Sequence, residues 1–273
     1  MGLRVNSNSA SINAQRNLQN NTNALQKSLQ RLSSGLRITR AADDAAGLAI
    51  SENFRADIRS LNQAQRNGND GISLLQVAEG ALNEVSSILI RQRELAIQSA
   101  NGTLGTTERT TLNNEVADLS AEINRISEVT QFNGKAVLNS TDQFDFQVGA
   151  NNTSNDRITV TGVDAGVSSI GISAISVGTQ TGAQSALAAL DTAISNVASL
   201  RAGFGTVQNR LESAIRSIAV AVENTTAAES RIRDVDFASE TAELTRNQVL
   251  QQAGISVLAQ ANVSTQSALS LLG

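Results

Sequence analysis

The apolar residues between Leu187 and Ile232 constrain this chain more than any other feature. They fall at 187, 190, 194, 197, 204, 211, 215, 218, 222 and 232, in steps of three and four or sums of these. That spacing is the seam of a helix lying lengthwise on other helices. At about 1.5 Å per residue the stretch predicts a rod roughly 70 Å long. A periodic run much beyond about 25 residues signals a coiled coil, a membrane span or a repeat. Arg201, Arg210, Glu212, Arg216 and Glu223 lie inside it and exclude the span. Such a helix has no compact core of its own and needs partner helices.

Composition agrees. The 273 residues include no Pro, where average usage near 5% would give about a dozen. Proline breaks helix interiors at roughly 3 kcal/mol or more, so its absence fits a chain that is mostly long helix. The aromatic residues are six Phe, too few for a thick globular core. With no Cys and no His, disulfides, thiol nucleophiles, His-based triads and most zinc sites are excluded. Met1 to Asn13 contains no apolar signal core, so no cleaved secretory signal is expected. No apolar run approaches 18 residues, so no membrane insertion is expected. With a net charge of −4 and only Lys27 and Lys135 as lysines, no nucleic-acid footprint is visible.

Taken in order, Leu18, Leu25, Leu29, Leu32 and Leu36 predict a first helix with one leucine seam. Gly35 and the small-residue run from Ala41 to Gly47 read as a linker, with Asp43 or Asp44 capping the next helix. That helix carries Ile58, Leu61, Ile72, Leu75, Ala78, Leu82, Val85 and Leu89. Asn101-Gly102 to Gly105 is a turn. Thr106 caps a third helix with a seam of Leu112, Val116, Leu119, Ile123 and Ile126, ended by Asn133-Gly134. The period then changes to two. Phe144, Phe146 and Val148, then Ile158 and Val160, predict a β-hairpin, followed by short Gly- and Ser-rich strands to about Gly178. Thr181-x-x-Gln184 reads as a capping box opening the long helix. The fold class is mainly α: a long antiparallel helical coiled-coil bundle with a small β-hairpin region.

The two ends differ in charge. Residues 1–42 carry Arg4, Arg16, Lys27, Arg31, Arg37 and Arg40 and no acid, whereas 234–273 carry Asp234, Asp236, Glu240 and Glu243 against Arg246 alone. A solvated basic face and a face for nucleic acid or anionic lipid are two readings of the first stretch. A third is that the ends pair with each other or with neighbouring copies. From Asn247 to Gly273 there is no charged side chain, and apolar residues lie nearly all round the helix. A helix of that kind is buried on several sides, and one thin chain cannot supply the burial. Three domains follow: 1–42 with 234–273, 43–142 with 179–233, and a variable region at 143–178.

Several motifs resemble one known family. Leu32-Ser33-Ser34-Gly35-Leu36-Arg37-Ile38 and Asp43-Asp44-Ala45-Ala46-Gly47-Leu48-Ala49-Ile50 are similar to the N-terminal signature of bacterial flagellins. Thr130-Gln131-Phe132-Asn133-Gly134 resembles the start of their hairpin. Glu229 to Ala238 and the closing Gln260 to Gly273 resemble their C-terminal signature. With about 40 residues in the middle, the chain resembles a minimal form without large outer domains. The resemblance implies a secreted structural subunit that polymerises into the flagellar filament for swimming motility. It implies export by the flagellar type III system, with an export chaperone, cap and hook-associated proteins as partners. The hook–filament junction protein shares the terminal helices but diverges in these motifs.

Two sites follow. The polymerisation surface is expected at Leu25, Leu29, Leu32, Ile255, Leu258, Leu269 and Leu272, against the reading of an ordinary intramolecular coiled coil. Arg91 and Leu95, four apart on one face, and Glu115 match by position the residues that Toll-like receptor 5 reads in flagellins it recognises. A solvated face or a filament contact is the alternative. The Ser/Thr/Asn-rich stretch 139–181 reads as a polar hairpin or an O-glycosylated segment, and its Asn152-x-Ser154 match is short. No cofactor, metal site or catalysis is expected, because Asp43-Asp44 and Asp234/Asp236 lack a nearby base or nucleophile and suit helix starts instead.

Overall fold

The structure, a computed structural model, describes the backbone of residues 8–270 and the side chains of residues 8–263. The elements in chain order are α1 (Ser9–Ser34), α2 (Ala45–Ala100), α3 (Thr106–Val129), β1 (Gln131–Phe132), β2 (Lys135–Ala136), β3 (Gln143–Gln147), β4 (Arg157–Thr161), α4 (Gln180–Arg233) and α5 (Phe237–Ser270). The chain divides into two compact units, 1–56 with 224–273 and 57–223. The seams fall inside α2 and α4, whereas the sequence reading placed its boundaries after 42, 142, 178 and 233.

The central unit, 57–223, is built on a seven-residue repeat. Leu190, Val197, Phe204, Leu211 and Ile218 of α4 are all buried. They meet α2, where Leu75, Leu82, Leu89 and Ala96 form one buried stripe. The two helices run antiparallel: Gly71 lies against Leu211, Arg201 pairs with Glu79 at 3.7 Å, and Arg93 with Asp191 at 2.6 Å. Two glycines permit a close approach. A Cβ at Gly68 would stand 3.0 Å from the Ile215 side chain, and one at Gly71 would stand 3.1 Å from the side chains of both Leu211 and Phe146. α3 folds back on α2 after the 101–105 turn and contributes buried Val116 and Ile123. Arg109, itself buried, holds that turn by donating from Nη2 to the carbonyls of Asn101 (2.8 Å) and Leu104 (3.3 Å).

Two hairpins follow. β1 and β2 pair through Asn133-Gly134, whose φ values are both positive, 51° and 77°. Two adjacent left-handed residues make the tight turn that joins antiparallel strands, and Asn-Gly tolerates it best. The motif therefore closes a hairpin instead of ending α3, which stops at Val129. β3 and β4 pair in register, Phe144 with Val160 and Phe146 with Ile158. From 162 to 179 no strand follows, contrary to expectation. Turns bury Val167, Ile170, Ile172 and Val177, while side chains of α3 satisfy two of the backbone amides. Asn124 Oδ1 accepts from the Val167 amide and Asn113 Oδ1 from the Val177 amide, both at 2.9 Å. Two caps also differ from expectation. Gly105, not Thr106, precedes α3, and Thr179, not Thr181, caps α4 by accepting from the Gly182 amide at 3.0 Å.

In the terminal unit α1 ends at Ser34, where the Gly35 amide donates to Arg31 O. Asp44 caps α2 by accepting from the Gly47 amide at 2.8 Å. Its neighbour Asp43 organises the connecting loop. Its Oδ2 accepts from the Thr39 amide and hydroxyl and from the Arg40 amide, and its Oδ1 meets Lys27 Nζ at 2.8 Å. The Lys27 contact, with the Thr39 and Arg40 bonds behind it, holds this carboxyl well below the ordinary value of 3.8 despite the opposing effect of burial. Asp236 caps α5, accepting from the Ala238 amide at 2.9 Å.

Two predictions follow from this packing. Leu211→Ala opens a cavity at a fully covered position and should cost about 2–5 kcal/mol. Gly71→Val overfills the same contact and should cost about 1–3 kcal/mol. Urea unfolding followed by circular dichroism measures both, and a loss under 0.5 kcal/mol in each would contradict the packing described. Asp43→Asn should lower stability at pH 6. Because the folded carboxyl ionises more readily than the unfolded one, its contribution is complete above 3.8 and is lost as pH falls through the lower folded value. The difference between wild type and Asp43→Asn should therefore shrink between pH 6 and pH 2.5, and a constant difference would contradict it.

Candidate functional site

The terminal unit packs in an unusual way. On α1, Ser11, Ala14 and Ser28 are buried and Leu18, Asn21, Leu25 and Leu32 half-buried, in steps of three and four. On α5, Glu240 is buried and Leu244, Asn247, Gln251, Gly254, Leu258 and Ala261 are half-buried, again in such steps. The two helices run antiparallel. Asn8 Nδ2 donates to Ala261 O and Ser11 Oγ to Asn262 Oδ1, each at 3.0 Å, while Arg31 Nη1 meets Glu240 Oε2 at 3.4 Å near the other end. The Arg31–Glu240 pair is the direct form of the charge difference between the two ends.

This seam mixes five leucines with polar and small residues, and further bulky apolar residues point elsewhere. Ile12 and Leu29 on α1, and Phe237, Val249, Leu250, Ile255 and Val257 on α5, are exposed. Bulky apolar side chains left open along both helices fit contact with another macromolecule.

The expected polymerisation residues divide accordingly. Leu25, Leu32 and Leu258 are half-buried within the unit. Leu29 and Ile255 stand 49% and 54% exposed. Leu29 is thus off the seam to which the leucine spacing assigned it, because Ser28 occupies that position. The side chain of Leu269 and the whole of Leu272 lie outside the described residues.

In the central unit, Arg91 donates through Nε (3.1 Å) and Nη2 (2.9 Å) to Glu115 Oε1, and through Nη1 to Glu94 at 3.2 Å. These carboxylates, Glu115 foremost, hold the guanidinium more firmly protonated. Arg91 and Glu115 are solvent-accessible, with half or nearly half of each side chain open. Leu95 is not: it is 1% exposed, so it does not share the surface face of Arg91 as its spacing suggested. The reason is that α2 has two partner helices. Leu74, Ala81, Ile88 and Leu95 form a second covered stripe beside the first.

The spacing puts Gln92 on the inward stripe of Leu82, Val85 and Leu89, but its hydrogen-bonding role is not read from the sequence. Gln92 is completely buried, and its Nε2 donates to Val116 O (3.1 Å) and Ser120 Oγ (2.9 Å), while its Oε1 has no partner. A glutamine within an apolar stripe gave no local signal of this role. Among the described residues no three carboxylates group as a metal site would require, and no helix is long and apolar enough to cross a membrane.

Comparison with known proteins bears on this arrangement. The profile of the bacterial flagellin N-terminal helical region matches residues 5–143, and that of the C-terminal helical region matches 187–272. A flagellin of Halalkalibacterium halodurans is 49% identical over 269 residues, covering 98% of this chain and 99% of the relative. The flagellar filament 33 kDa core protein of Treponema phagedenis is 44% identical over 283 residues, 98% of this chain and 99% of its own. A flagellin of Bacillus subtilis (strain 168) is 43% identical over 307 residues, covering 99% and 100%. The crystal structure of Bacillus cereus flagellin, 33% identical, covers 60% of this chain and 94% of its own with a TM-score of 0.51. With both helical regions matched and relatives of this identity along nearly its whole length, the chain belongs to the bacterial flagellin family.

Proposed function

We propose that this chain is a structural subunit that polymerises with copies of itself into the bacterial flagellar filament. The observation that carries this reading is the set of outward-facing apolar side chains on α1 and α5. Burying one Leu or Ile side chain contributes roughly 1.5–3 kcal/mol, and a polymer repeats the contact at every subunit. On this reading the protein acts outside the cell, reaches that place through the flagellar type III system, and meets an export chaperone, the cap and hook-associated proteins. It performs no catalysis.

A double substitution tests the assembly surface without disturbing either unit's fold. Leu29→Ser with Ile255→Ser alters two side chains already half open to water. The critical concentration for filament growth, measured by sedimentation and electron microscopy, should rise at least about tenfold, since each 1.4 kcal/mol is worth that factor. Helix content and the unfolding of the central unit should not change. Filaments growing at the wild-type critical concentration would refute the assignment.

We propose further that the monomer presents the Arg91–Glu115 pair to Toll-like receptor 5, with Leu95 supporting the surface from beneath. Arg91→Ala should weaken receptor binding several-fold by removing an exposed guanidinium already held in place by Glu115 and Glu94. Leu95→Ala should act through the core, lowering the unfolding midpoint as well. Receptor affinity unchanged in Arg91→Ala, or absent in wild type, would remove this role.

A further inference from the structure

The central unit carries a cleft of about 520 Å³ between the turn leading into β4 and the outer face of α4. Its floor is apolar, with Val148, Ile158 and Ile218 nearly covered. Arg157 from β4 and Arg210 from α4 are among the residues that line it. Ser213 and Ser217 follow Arg210 at three and seven residues and so share its helix face. No carboxylate lines the cleft.

In this unit Arg91, Arg93, Arg125, Arg201 and Arg216 each meet a carboxylate, whereas Arg66 donates to the neutral Gln63 amide oxygen and Arg109 to backbone carbonyls. Among the described residues Arg157 and Arg210 form no ion pair, and the bond made by Arg157 goes to the neutral Asn152 amide oxygen. The nearby acids are engaged elsewhere. Asp156 accepts from Thr153 Oγ1 at 2.6 Å, and Glu212 from Gln208 at 3.3 Å. The hydroxyls of Ser213 and Ser217 have no partner among the described residues, so the cleft offers donors from β4 and α4 over an apolar floor. Fork-shaped guanidiniums match the oxygens of phosphate and sulfate, and the covered floor reduces competition from water.

We propose that this cleft binds an oxyanion, a phosphate or sulfate group, between Arg157 and Arg210, with Ser213 and Ser217 donating to its remaining oxygens. The charge is local, since the chain as a whole is at −4. A free phosphate and a sulfate ester on a polysaccharide share this chemistry.

The test is an amide NMR titration of the depolymerised full chain with sodium pyrophosphate and, separately, with a heparin-derived tetrasaccharide, at ionic strength fixed with sodium chloride. Saturable shifts confined to the segments 148–158 and 210–218 are expected. Arg157→Gln and Arg210→Gln should each weaken binding about tenfold, the scale of one charge-assisted hydrogen-bonding group. Arg210→Lys should fall between, and Arg66→Gln, on the same unit but outside the cleft, should match wild type. Saturation by pyrophosphate identifies a free phosphate as sufficient, and saturation by the tetrasaccharide alone identifies a polymer-borne sulfate; either supports the site. No saturable shift with either probe, or equal affinity in wild type and the Arg157→Gln, Arg210→Gln double variant, would overturn it. Both arginines are exposed, so the variants should keep the wild-type circular dichroism spectrum.

Discussion

The structure depends on where apolar surface finds cover. In the central unit it finds it internally. The seven-residue repeat of α4 meets one stripe on α2, and α3 covers the second. Leu190, Val197, Phe204, Leu211 and Ile218 therefore carry the packing of that unit along one helix. Almost every other feature serves that contact. Glycine at 71 lets β3 and α4 approach α2, the amides of Asn113 and Asn124 hold the irregular segment over α3, and Arg109 fastens the turn that returns the chain. Exposed ion pairs such as Arg93–Asp191 add little energy, because solvent screens them, but they suit one register of α2 on α4.

In the terminal unit the same rule fails, and the failure has a function. Ser11, Ala14, Ser28, Glu240 and Gly254 share the seam with five leucines, while Phe237, Val249 and Val257 face water. The unit gains little burial from folding on itself. Hydrogen bonds such as Asn8 to Ala261 and the Arg31–Glu240 pair fix direction and register more than they stabilise. A surface of this kind is stabilised by whatever binds the folded form.

Much of this was legible in the sequence. The α4 seam, the extent of α2, the β3–β4 hairpin and the helix character of both termini all follow from spacing, since periods of two and 3.6 leave distinct marks. What escaped has physical causes. Counting leucines put Leu29 on the α1 seam, but the seam there belongs to Ser28, and a polar seam position has no apolar signature. Leu95 was read as surface because a single inward stripe was assumed, whereas a helix between two neighbours buries a wider arc. The segment 162–179 alternates apolar and small residues as strands do, yet its backbone bonds close local turns and reach 137 and 138, with two amides met by asparagine side chains of α3. Caps are decided by one hydroxyl, so Thr179 and Thr181 are indistinguishable until the backbone is known.

Gln92 joins these themes. A buried glutamine with one satisfied and one orphaned end costs stability relative to leucine. What it supplies is position: its amide meets the Val116 carbonyl and Ser120 hydroxyl at one sliding offset of α3 along α2. Leucine would pack nearly as well at a neighbouring offset, because apolar contacts are not directional. The exposed Arg91–Glu115 bond, one residue earlier on each helix, closes only at that same offset. A buried amide and a surface ion pair thus specify one register from inside and outside. A subunit whose surfaces must repeat identically along a polymer requires that precision more than it requires the last increment of stability.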